Sequence, residues 1–175
     1  MRTKILLLSG GMALLASVMV AGLALAGSTR SETTVASEAT AQFHDLDQAV
    51  AAGYSVRVAD ASGATCIAQP GEGAMGVHML NPALLDSTIN AETPEVLVYE
   101  PRSDGTLKLV ALEYLVFEGA WTGSDPPALF GREFDYIADP NRYGIPAFYA
   151  LHAWIWKPNP SGILHAWNPN VSCEG

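Results

Sequence analysis

The chain has 175 residues, with 18 Asp and Glu against 9 Lys and Arg and a formal net charge of -9. Such an acidic surface argues against nucleic acid and against anionic membrane surfaces as partners, since like charge repels both. Hydrophobic residues make up 49% of the chain, enough for a real core, and the length suits one domain rather than two.

Arg2 and Lys4 lead into an apolar run from Ile5 to Ala26, which closes on Ala24-Leu25-Ala26 and gives way to polar "GSTRSETT". This is the pattern of a signal peptide over residues 1–26, cleaved after Ala26. A retained anchor is the rival reading, although Ser9, Gly10 and Gly11 interrupt the run. With Arg2 and Lys4 removed the formal charge moves from -9 to -11. Residues 27–37, rich in Ser, Thr and Glu without apolar periodicity, are expected as a disordered tether. A single globular domain is expected over 38–175, in a secreted or periplasmic protein with no stable membrane association after cleavage.

"SEATAQFHDLDQAVAAGY" reads as an amphipathic helix: Phe43, Leu46 and Val50 recur at helical spacing, Ser37 can cap its start and Gly53 stands where it would end. "YSVRVAD" alternates as a short strand. "EVLVYEPRSDGTLKLVALEYLVFEG" is two alternating runs around Asp104-Gly105, a hairpin signal. Residues 119–146 are rich in Gly and Pro and predict an irregular excursion over the surface. "AFYALHAWIW" returns as a strand, "KPNPSG" stops it, and "ILHAW" is a last short apolar run. The fold class is therefore α+β, one N-terminal helix packed on a mostly antiparallel sheet, with a half-closed β-barrel as the alternative. Cys66 and Cys173 are the two cysteines, and one disulfide between them is expected in an oxidising compartment.

Side chains alternate across a strand, so Leu107, Leu109, Ala111, Glu113, Leu115 and Phe117 are expected on one face. Glu113 is then a carboxylate on an apolar stripe, and it needs a partner, a proton or a metal. The same parity sets Phe148, Ala150, His152, Trp154 and Trp156 on one face of the later strand. His78, after the glycine-rich "GEGAMG", is the third candidate. His78, Glu113 and His152 from three strands would make a facial set of ligands with open positions, suited to zinc, copper, iron or manganese. The bland alternative is a hydrogen-bonded polar core. Tyr114 and Tyr149 are candidate orienting donors, and His165 is a reserve ligand or a partly buried terminal histidine.

"GEGAMG" fits a dinucleotide fingerprint only formally, because no βαβ unit surrounds it; its glycines more plausibly let backbone pass close to a neighbour. No serine elbow or free thiol suggests a nucleophile, and a paired-carboxylate site would need Glu100 or Glu118 opposite Glu113. A second class of function is a non-catalytic protein whose aromatic-lined pocket, built from Trp121, Trp154, Trp156 and Trp167 with nearby tyrosines, binds a small molecule. A third is a structural or interaction domain. Whether the chain is an enzyme stays open on these residues.

The runs "GAMGVHMLNPALL", "PEVLVYEPRSDGTLKLVALEYLVF", "ALFGREFD" and "YALHAWIWKPNPSGILHAWNPNVSC" resemble a group of uncharacterised secreted bacterial proteins, through "MGVH", "LEY", "LHAWIW" and "WNP..SC". The resemblance implies secretion and one compact domain, and carries no activity. In that group the segment after "GREFD" is longer and holds a further histidine, which "YIADPNRYGIPAFYA" lacks here.

Overall fold

The computed structural model describes residues 30–175; the expected signal peptide lies outside the described residues. Helix α1 (Glu32–Thr40) starts where the Ser31 hydroxyl accepts from the Thr34 N–H at 3.2 Å, with Glu32 in the first turn. Six residues of the expected tether are thus helical, and Ser31 rather than Ser37 is the cap. A tight turn over Ala41–His44 and a second cap at Asp45, which accepts from the Asp47 N–H at 3.0 Å, break the expected single helix before α2 (Leu46–Ala51). The break rotates the apolar face, so Phe43 and Ala49 are buried while Val50 is exposed.

Nine strands follow: β1 (Val56–Arg57), β2 (Cys66–Gln69), β3 (Gly73–Leu80), β4 (Val96–Pro101), β5 (Leu107–Phe117), β6 (Ala128–Leu129), β7 (Arg132–Glu133), β8 (Asp135–Ile137) and β9 (Phe148–Ala153). Seven form one open antiparallel sheet in the order β1-β3-β4-β5-β9-β8, with β2 on the same edge of β3 as β1; β6 and β7 make a separate small hairpin. The sheet does not close into a barrel. The β4–β5 hairpin forms as expected, with the Asp104 carboxylate accepting from the Thr106 N–H at 2.9 Å and Gly105 at φ 81°. The excursion over residues 119–146 is irregular except for the small hairpin and edge strand β8.

One sheet face packs on the helices: Leu97, Tyr99, Leu109, Leu112, Tyr114 and Leu151 meet Ala36, Phe43, Ala49 and Tyr54. Covered on both sides, β5 is buried from Leu109 to Val116, which is why its sequence reads as a near-continuous apolar run. The other face is covered by the loop after β1, the segment between β8 and β9, and the C-terminal stretch. Asn168 pairs with Ala74 as an isolated bridge, and the Cys66–Cys173 disulfide, as expected, ties the last residues to β2. Closing a loop of sequence separation 107 stabilises by about 4 to 5 kcal/mol in the chain-entropy view.

Two bulges decide which side chains share that second face. In β5, Val98 pairs with Ala111 but Tyr99 with Leu109, so Val110 is the extra residue. Strict alternation therefore fails: Leu107 and Leu109 join the helix side, while Ala111, Glu113 and Leu115 face the other way. In β3, Ile67 pairs with Gly76 but Ala68 with Ala74, which makes Met75 the extra residue just before the segment that carries His78.

Candidate metal centre

His78 on β3, Glu113 on β5 and His152 on β9 converge on the face away from the helices. Glu113 and His152 are direct cross-strand partners, and His78 stands opposite Val98 on the intervening strand β4. All three are buried, and one ligating atom from each lies within 4.8 Å of the others, so the group can hold a metal ion. The two Nε2 atoms are 3.3 Å apart; Glu113 Oε2 is 3.5 Å from His78 Nε2, and Oε1 is 3.8 Å from His152 Nε2. Only the first of these is a hydrogen-bond length. The two rings are therefore joined by one hydrogen bond, while the Glu113 carboxyl is drawn close without bonding to either.

Local backbone sets the tautomers. His78 Nδ1 faces the Gly76 carbonyl oxygen at 3.2 Å; a carbonyl only accepts, so Nδ1 carries the proton and Nε2 presents its lone pair. Gly76 makes this possible, because at φ 112° a Cβ there would meet the Tyr99 carbonyl oxygen at 2.5 Å. Gly73 allows a second close pass, where a Cβ would meet the Asn168 carbonyl oxygen. Two of the three glycines of "GEGAMG", Gly73 and Gly76, thus serve backbone approach, as expected, while Gly71 has no atom within 4 Å of a Cβ position. With His78 Nε2 as acceptor, His152 Nε2 is the donor between the rings. A metal held by both nitrogens requires that proton to leave Nε2, which a shift to Nδ1 accomplishes. The His152 ring lies nearly parallel to Trp154, 6.3 Å away, and the Trp154 indole N–H donates to the His165 carbonyl at 2.6 Å.

Burial pushes the Glu113 carboxyl up to about 8, with the Glu95 carboxylate adding to the shift. Burial holds His78 down at about 4, opposed in part by the Gly76 carbonyl and assisted by Arg142. His152 is held well below the usual imidazole range by burial first, then by His78 and His165. At neutral pH and without an ion, the cluster is therefore two neutral imidazoles and a neutral carboxyl rather than ion pairs. Glu95, buried on β4's approach with Oε2 accepting from the Leu115 N–H at 2.9 Å, is raised to about 7 by its own desolvation.

Two cavities flank the cluster and share Glu113, Tyr143 and Phe148 as a partition. The larger, about 310 Å³, touches His78 and is lined mainly by aliphatic and phenyl side chains; the smaller, about 280 Å³, touches His152 and carries Asp135, Arg142 and Trp167. Tyr143, half-buried, has a hydroxyl contact to Met75 Sδ at 3.9 Å, and burial first, then Glu113, push its pKa well above the usual phenol value. Tyr143 sits in an irregular loop, where no periodicity signals an inward side chain.

Several other expected site residues lie elsewhere. Tyr114 is on the helix face, where its hydroxyl donates to the Ala91 carbonyl at 2.9 Å, and Tyr149 also packs on that side. Trp156 does too, because β9 ends at Ala153 and alternation stops: its indole N–H donates to Thr40 Oγ1 at 3.3 Å and its ring lies 4.5 Å from His44. His165 is exposed and folds onto the Trp167 backbone. Glu100 pairs with Lys157 at 2.7 Å and Glu118 accepts from Tyr136, so neither supplies a second acid. The four tryptophans form no common pocket: Trp121 bonds within its own surface loop, Trp156 lies across the sheet, and Trp167 sits under Arg142. Comparison of the chain with protein-family models, curated proteins and solved structures finds no match.

Proposed function

We propose that this is an exported metal protein whose His78, Glu113 and His152 hold one divalent ion with coordination positions left for water or a substrate oxygen. The observation that carries the reading is the convergence of three buried ligating groups from three separate strands, with the Glu113 carboxyl beyond hydrogen-bond length of both imidazoles. A tetrahedral ion with bonds of 2.0–2.2 Å separates its ligand atoms by about 3.4 Å, and the 3.3 and 3.5 Å spacings bracket that value. Two imidazoles and a carboxylate suit zinc, copper, iron or manganese. The Gly76 carbonyl behind His78 is the kind of outer support that orients a ligating imidazole. Such an ion polarises a bound oxygen or activates water, and Tyr143 on the cavity partition is the side chain best placed to orient what binds. The Cys66–Cys173 disulfide fits the oxidising compartment expected from the leader.

The test is metal content of the purified chain by elemental mass spectrometry, for wild type, His152→Ala and His165→Ala. One equivalent in wild type and His165→Ala, lost in His152→Ala, supports the reading. Absence of metal from wild type after reloading with all four ions overturns it and leaves a polar core.

A further inference from the structure

The larger cavity has fewer charged side chains in its lining than the smaller one. Among its lining residues the only charged side chains are Glu113 at the metal end and Arg57, while Leu80, Val96, Leu115, Ile145 and Phe148 supply apolar wall. Arg57 is exposed and makes no ion pair among the described residues. An apolar cavity of ~150 Å³ accepts a benzene-sized guest. A volume of about 310 Å³ is roughly twice that. It has room for about a dozen non-hydrogen atoms. The polar end selects the head of such a guest: a divalent ion with a single carboxylate ligand keeps excess positive charge and favours an anionic oxygen as its next ligand. The smaller cavity has more charged groups in its lining, Asp135 and Arg142 beside Glu113.

We infer, resting on the metal reading above, that the larger cavity binds the body of a small apolar monocarboxylate whose carboxylate head completes the coordination of the ion at His78, Glu113 and His152. The apolar walls contribute the affinity and the ion fixes the orientation.

The experiment uses the mature chain loaded with cobalt(II), whose visible absorption reports a change of ligand. Phenylbutyrate is the probe; acetate is the head without a body and butylbenzene the body without a head. Each buried methylene is worth about fourfold in affinity, so phenylbutyrate, with a phenyl ring and a longer alkyl chain than acetate, is expected to shift the cobalt spectrum with an affinity at least about a hundredfold above that of acetate. Ile145→Trp and Leu85→Trp, two half-buried positions on different walls, are expected to fill the cavity and bring phenylbutyrate down to acetate's level while cobalt stays stoichiometric. Equal affinities for the two acids in protein that holds cobalt, or tryptophan variants that keep the wild-type affinity, would overturn the inference and leave the metal reading intact. Failure to hold cobalt and each of zinc, copper, iron and manganese overturns the metal reading and the head-group part together. A thermal upshift with butylbenzene, lost in the tryptophan variants, would then keep the apolar site alone, and no upshift would remove that as well.

Discussion

Replacing Glu113 by Gln should move stability and metal affinity in opposite directions. The glutamate is 7% exposed, and its carboxyl is raised from 4.5 to about 8. In the metal-free protein at neutral pH the folded state holds this group protonated while the unfolded chain ionises it. A group whose folded value is raised in this way contributes fully below pH 4.5 and loses that contribution as pH rises toward about 8. At about 1.4 kcal/mol per pH unit, the loss by pH 7 is about 3 kcal/mol. Gln is neutral in both states and escapes the loss. Glu113→Gln is therefore expected to match wild type near pH 4 and to exceed it by about 3 kcal/mol at pH 7, in urea unfolding of chelator-treated protein with the disulfide intact. The imidazoles act in the other sense. His78, lowered to about 4, adds stability as pH rises from about 4 to 6.5, so the difference between variant and wild type, not either curve alone, isolates Glu113. The same variant should bind metal at least about a hundredfold more weakly, since a charged ligand is gone. A variant no more stable than wild type at pH 7, or a difference that does not grow between about pH 5 and pH 8, would refute the assignment of a desolvated carboxyl.

Metal binding should release about one proton per ion between about pH 5 and pH 8, because the histidines are already neutral there and only Glu113 must ionise. The logarithm of the apparent affinity then climbs with slope about one and flattens above about pH 8; a slope of two or three by calorimetry in buffers of different ionisation heat would contradict it. Gly76→Ala should destabilise by about 2 to 4 kcal/mol, combining strain at φ 112° with a Cβ 2.5 Å from the Tyr99 carbonyl oxygen. Gly63→Ala, at φ 87° with no atom within 4 Å, should cost only about 1 kcal/mol. Equal losses in thermal unfolding would show that the close approach behind His78 contributes nothing.

Much of the chain's local organisation was legible. Asp104-Gly105 between two alternating runs specifies its hairpin through turn geometry alone, and a carboxylate at Glu113 amid apolar neighbours announces itself because burial of such a group demands compensation. The helical start was misread at Ser37, since the Ser31 cap precedes residues without an apolar stripe, and α1 is held by packing of Ala36 and Thr40 against the rest of the fold. Parity placed Glu113 and His152 on one face because no bulge separates them from their shared register. It misplaced Leu107 and Leu109 because the bulge at Val110 depends on a pairing with β4 that lies outside β5 itself.

By itself the sequence determined the residue types of the centre, the disulfide partners and the antiparallel character of the sheet, all of which follow from short-range chemistry or from a count of two cysteines. Only the tertiary structure decided that His78 lies 3.3 Å from His152 across 74 positions of chain, that Tyr143 rather than Tyr114 borders the cluster, and that an apolar cavity opens beside Glu113. Those are relations between strands that are not neighbours in the chain, fixed by sheet order and by bulges, and no local pattern encodes a distance between them.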